Sequence, residues 1–212
     1  MRAEGTAIVS ASEIRYEKYS GSAIVPHLPG LARLRIGVFR EYPYLYDGDE
    51  AYERKYLQSY VDAPHSIVVL VYDGNDLIGA TTGLPMSDGN AEFPQPFSHA
   101  GYDISKIFYC GESVLDGRYR GRGIYRQLFA AREQHARELG FTSCAFCCVQ
   151  RAPDHPLRPP DYTPLDAVWR HFGYREHAEL FTHYTWKDVD QAASSEKVMR
   201  FWSKPLTQGN AP

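Results

Sequence analysis

The chain has 212 residues, with 23 Lys and Arg against 26 Asp and Glu, a formal charge of −3. That length fits one domain with insertions, and 43% hydrophobic with 23% charged residues is the composition of a globular protein, which excludes wholesale disorder. The weakly acidic balance excludes the basic footprint of a nucleic-acid binder, and no apolar run approaches the roughly 20 residues of a membrane span.

The first seven residues, Met1 to Ala7, lack the apolar core of a signal peptide, so the expected setting is cytoplasmic, with neither nucleic acid nor membrane as partner. Residues 1–12 are expected to form a loose arm and 13–206 a single domain, opening with a strand over 13–19. Apolar Leu31, Leu34 and Val38 recur at helical spacing over 31–40. A breaker-rich turn, 42–48, leads to a helix capped by Asp49 that is expected to bury Tyr52, Tyr56 and Tyr60. Two β-rich runs, 66–72 and 77–84, flank Asp73-Gly74-Asn75-Asp76 and predict a hairpin. Residues 85–103 are polar and irregular enough to predict a long loop.

A strand over 106–115 is followed by a long helix, 122–139, with the stripe Ile124, Leu128, Ala131, Ala136 and Leu139 and a stop at Gly140. The strand 141–149 holds Cys144, Cys147 and Cys148; with no second cysteine pair to complete four ligands, they are expected to be small buried residues rather than a metal site. A Pro-rich insertion, 150–163, precedes a short helix over 164–172, and strands 179–186 and 198–204 close the chain. The order predicts an α/β fold, a mixed α+β layer with one strand–helix–strand crossover at its centre.

The chemistry concentrates at that crossover. Arg118-Tyr119-Arg120-Gly121-Arg122-Gly123-Ile124 follows the strand and opens the long helix. The first N–H groups of a helix lack intrahelical partners and the helix dipole favours anions there, while glycines let a ligand approach the backbone. The arginines suit a polyphosphate. The spacing lacks the third glycine of a dinucleotide fingerprint, where Arg126 stands, and has no P-loop lysine.

This R-x-x-G-x-G segment at a strand-to-helix junction resembles the GNAT (GCN5-related N-acetyltransferase) superfamily, as does the element order of nearly the whole chain. The resemblance implies a central mixed β-sheet flanked by helices and an acyl-CoA-dependent N-acyltransferase that moves acetyl from acetyl-CoA to a primary amine. It implies that Val114 and Leu115 backbone groups hold the pantetheine arm, and that Arg118, Arg120, Gly121, Arg122, Gly123 and Ile124 surround the pyrophosphate, with N–H groups from Arg120 to Ile124 facing it. No metal is implied. The partner is a small-molecule or peptide amine, and a homodimer is compatible with this reading. Two departures stand out: Tyr125 where the family has a small residue, and Trp169 where it commonly has the tyrosine that protonates the leaving thiolate. The second keeps a non-catalytic acyl-CoA sensor of the same fold as the alternative.

For proton transfer, Glu112 is the candidate base, because a carboxylate interrupts an apolar strand two residues before the expected thioester-binding backbone. Pairing with a buried arginine is the competing expectation. Tyr162, in the Pro-rich insertion, is the candidate acid, with an ordinary surface position as its competitor. Tyr42, Tyr44, Tyr46, Asp47 and Asp49 between the first two helices suit a cationic acceptor, or equally pack against the core and cap the second helix.

Overall fold

A computed structural model describes residues 14–90 and 92–206. The expected arm, 1–12, lies outside the described residues. Seven strands form one sheet in the order β1-β2-β3-β4-β5-β7-β6: β1 Ile14–Tyr19, β2 Ile67–Asp73, β3 Asp76–Pro85, β4 Ile107–Leu115, β5 Ser143–Val149, β6 Arg175–Lys187 and β7 Ser194–Pro205. Five α-helices accompany it: α1 Leu28–Phe39, α2 Glu50–Asp62, α3 Pro94–His99, α4 Ile124–Glu138 and α5 Asp166–His171. All strand pairings are antiparallel except β4 with β5, the pair joined by the α4 crossover. The expected mixed sheet flanked by helices is what forms.

The sheet separates two apolar clusters. One packs α1 and α2 against Val68, Leu70, Ala80, Ile107, Tyr109 and Val114; the other packs α4 and α5 against Val69, Val71, Phe108, Cys110 and Leu115. Strands covered on both faces lose the simple in–out alternation, and β2 and β3 are buried almost continuously.

Several expectations need correction. The second helix is capped by Asp49, whose Oδ1 accepts from Tyr52 N at 2.9 Å, but its buried residues are Glu53, Leu57 and Tyr60, while Tyr52 is exposed. In α4, Leu139 is exposed and the buried face includes Arg132, Glu133 and His135. The 85–103 segment holds α3, which brings Phe97 into the core. Strands β6 and β7 run longer than expected, leaving residues 188–193 as their connector. The four cysteines are free and buried. No helix among the described residues is long and apolar enough to cross a membrane.

Candidate active site

Two irregularities in β4 build the site. The first is its partnership with β5, which lasts only from Ile107↔Ser143 to Tyr109↔Ala145. From Cys110 onward the β5-facing edge of β4 has no ladder, although β3 still pairs on the other side through Leu115↔Gly79. A gap therefore opens between the two central strands.

The second is a β-bulge. Ser113 pairs with Thr81 but Cys110 with Gly83, so Gly111 and Glu112 together oppose Thr82. An extra residue reverses the side-chain parity beyond it. Ile107 and Tyr109 face α1 and α2; past the bulge that face belongs to the even-numbered Glu112 and Val114. The bulge is held from both sides. Thr82 Oγ1 accepts from Glu112 N at 3.3 Å, and the Glu112 carbonyl accepts from Thr81 Oγ1 at 2.6 Å and from buried Arg132 Nη1 at 3.0 Å. Gly111 is required by close approach, since a Cβ there would lie 2.0 Å from the Tyr60 hydroxyl.

Glu112 meets the competing expectation of a buried arginine. Arg35 of α1 pairs with Glu112 through Nη1 and with Glu53 of α2 through Nε, and all three side chains are at most 7% exposed. The Tyr56 hydroxyl donates to Glu112 Oε2 at 3.1 Å, and the Arg35 guanidinium lies 4.3 Å from the Tyr56 ring centre. Burial works against the Arg35 charge, but Glu112, Tyr56 and Glu53 together outweigh it and hold its pKa well above the usual arginine value. With one guanidinium between two carboxylates, the cluster carries one net negative charge.

Above this cluster lies a recess of about 90 Å³. Its walls include Tyr44, Tyr46 and Tyr52 near the α1–α2 turn, Phe93 and Tyr109, and Tyr184 and Trp186 from β6. Cys147 of β5 is at its floor; burial pushes that thiol up to about 12, so it is not a thiolate nucleophile at neutral pH.

At the end of β4 the chain makes the anticipated turn. Gly121 and Gly123 have φ of 76° and 80°, and no atom lies within 4 Å of where either Cβ would be. No hydrogen bond from the N–H groups of Gly121, Arg122 or Gly123 to another protein group appears among the described residues, and α4 begins without a side-chain cap or an acidic first turn. Open donors, open space and the positive end of a four-turn helix fit a phosphate-bearing ligand. The arginine side chains are otherwise engaged: Arg118 with Asp116 at 2.7 Å, Arg120 with Glu41 at 2.7 Å, and Arg122 over the Tyr119 ring at 4.9 Å.

β4 therefore brings Glu112, Val114 and Leu115 into line with the glycine turn. Tyr162 does not join them: its ring sits edge-on against Tyr42 at 4.6 Å, on the insertion, outside the lining of the recess. The two residues that depart from the family pattern meet each other, Trp169 Nε1 donating to the Tyr125 hydroxyl at 3.1 Å.

The sequence model of the acetyltransferase (GNAT) family matches residues 33–159, which spans α1, the recess cluster, the bulge and the turn. The chain belongs to the GNAT family. No curated protein sequence matches it. Among solved structures it is similar to an N-acetyltransferase from Staphylococcus aureus, at 11% identity and a TM-score of 0.56 over 91% of this chain and 99% of that one. It is also similar to an acetyltransferase from Streptococcus agalactiae, at 15% identity and 0.54 over 91% and 98%. The YncA protein of Salmonella typhimurium, determined with its cofactor acetyl-CoA, matches at 11% and 0.55 over 96% and 98%. At these identities the likeness is one of fold, and the GNAT assignment rests on the domain match.

Arg35 and Glu53 were missed as site residues from the sequence. Their signal was present: Arg35 lies four residues after Leu31, and Glu53 four before Leu57, each on the apolar face of its helix.

Proposed function

We propose that this GNAT protein is an acetyl-CoA-dependent N-acetyltransferase that transfers acetyl to a primary amine by direct attack. The observation that carries this reading is β4 itself: one strand runs from the bulged Glu112 beside the recess to the open N–H groups of the Gly121–Gly123 turn. Acetyl-CoA, as substrate, would be held by the backbone of Val114 and Leu115 and by the donors from Arg120 to Ile124, with its thioester at the gap between β4 and β5.

In this reading the amine occupies the recess and Glu112 is the group beside its nitrogen. Arg35 neutralises only one of the two carboxylates, so a proton leaving the ammonium, directly or through one water, is accepted by a cluster with a surplus negative charge. Direct attack agrees with Cys147, whose raised pKa removes the candidate for a covalent acyl carrier at the recess floor. Tyr162 belongs to the wall formed by the insertion; we do not give it a proton-transfer role.

Calorimetry with acetyl-CoA and its desulfo analogue tests the donor site, and thiol release across an amine panel tests turnover. Replacing Glu112 by Gln should lower kcat by about 10²–10⁴, the range for loss of a general base, while acetyl-CoA affinity holds. Full activity in that variant removes Glu112 from the mechanism. The second reading, an acyl-CoA sensor, draws on the Trp169–Tyr125 contact, which joins two departures from the family pattern; tight acetyl-CoA binding without turnover on any amine would select it.

A further inference from the structure

The charge around the recess is unequal. Arg35 contributes one positive charge, Glu53 and Glu112 two negative ones, and no other charged side chain lines the recess. The nearest uncompensated cation belongs to Arg151, Asp188 and Lys197, which sit behind Trp186. There the guanidinium and the ammonium lie 5.9 Å and 5.1 Å from its ring, with their donors engaged by Asp188, by the carbonyls of Pro43, Tyr44, Trp186 and Ser195, and by the Ser195 hydroxyl. At the mouth, the carboxylate of Glu92 acts on the hydroxyls of both Tyr52 and Tyr184, adding a further negative charge. Glu53 is fully buried, and its Oε1 has no hydrogen bond of normal geometry; its neighbour is the Tyr46 hydroxyl, likewise without one. A buried carboxylate oxygen with spare accepting capacity, boxed by aromatic faces, is a receptor for a cation.

Building on the N-acetyltransferase reading, we infer that the acceptor is a compact organic cation with two basic nitrogens: one reacts beside Glu112 while the other stays charged against Glu53 and the aromatic walls. The two carboxylates stand one guanidinium apart, bridged by Arg35, which sets the two positions along the recess. A volume of about 90 Å³ is only that of about three waters in the liquid, so the occupant is small. Acceptors with a carboxylate beside the amine are disfavoured by Glu53 and again by Glu92.

Three acceptors of equal chain length test this: a linear diamine, the alkylamine with an uncharged end, and the ω-amino acid. Thiol release should give kcat/KM for the diamine about ten- to a hundredfold above the alkylamine, the worth of one charge-assisted hydrogen bond, with the amino acid lowest. Glu53→Gln should compress the diamine-to-alkylamine ratio toward one. Because that substitution touches a buried ion pair, the exposed Glu92→Gln variant is a second arm, expected to reduce the same ratio by about two- to fivefold. Equal rates for the three acceptors, or an unchanged ratio in both variants, overturn the inference. Should acetyl-CoA bind and no amine release thiol, the transferase reading falls; calorimetry of the diamine against the amino acid then decides the charge preference, which fails if the amino acid binds as well as the diamine.

Discussion

Replacing Arg35 by Met tests whether the recess is built on charge or on shape. The arginine is 7% exposed and stands between carboxylates that are 0% and 4% exposed. Removing one member of a buried ion cluster destabilises by about 3–5 kcal/mol, because the charges left behind are neither solvated nor paired. The guanidinium also lies over the rings of Phe39 and Tyr56, at 5.1 Å and 4.3 Å, contacts worth about 1–2 kcal/mol when desolvated. Methionine has similar length and keeps much of the apolar contact, so about 3–5 kcal/mol is the expected net loss. Urea unfolding, compared at equal m value, measures it. The informative partner is the triple variant Arg35→Met, Glu53→Gln, Glu112→Gln, in which all three charges are gone and the volume is kept. Neutral replacement of a whole buried cluster is often tolerated, so at least half the loss should return. A single variant within about 1 kcal/mol of the parent, or a triple variant no better than the single one, would refute the charge balance described above.

Three further outcomes follow from the same geometry. Gly123→Val forces a β-branched residue to φ near 80°, a strain of about 1–2 kcal/mol in open space, so the protein should fold yet lose CoA binding in calorimetry; retained affinity would displace the phosphates from this turn. Gly111→Ala drives a Cβ into the Tyr60 hydroxyl and Thr82 Oγ1 and should lower stability by about 1–3 kcal/mol in urea unfolding, whereas no change would mean the bulge relaxes freely. Burial raises the Asp188 carboxyl, but Arg151 and Lys197 outweigh it and hold the folded-state pKa below the usual carboxylate value. Its stabilisation is complete above the unfolded value of about 3.9 and is lost as pH falls through the lower folded value, so Asp188→Asn should flatten that part of the acid-unfolding curve.

The fold was legible wherever a local rule sufficed. Helical spacing around Leu31 and Leu128, the Asp73–Asp76 turn and the glycine junction after β4 each depend on neighbours within a few residues. The site was legible in its phosphate half for the same reason. Its other half depends on residues brought together from three elements. A sequence pattern assigns arginine and glutamate to solvent, so Arg35 and Glu53 become core residues only once each supplies the other's counter-charge across the α1–α2 contact. The face taken by Glu112 was equally hidden, because the bulge that turns it toward α1 arises from the pairing of β4 with Thr81, Thr82 and Gly83. The divergence of β4 from β5 likewise has no signature in either strand alone.

Arg151 leaves β5 and grips the chain at two distant places, the carbonyls of Pro43 and Tyr44 and the carboxylate of Asp188. Tyr46 bridges to Asp188 as well, and Tyr162 and His155 of the insertion pack on Tyr42. The insertion, the α1–α2 turn and the β6–β7 connector therefore form one mechanical unit, though more than a hundred residues separate their sequences. A designer transplanting acceptor specificity between relatives would have to move all three segments together. Exchange of the α1–α2 turn alone would leave Arg151 clasping a backbone shaped for a different chain.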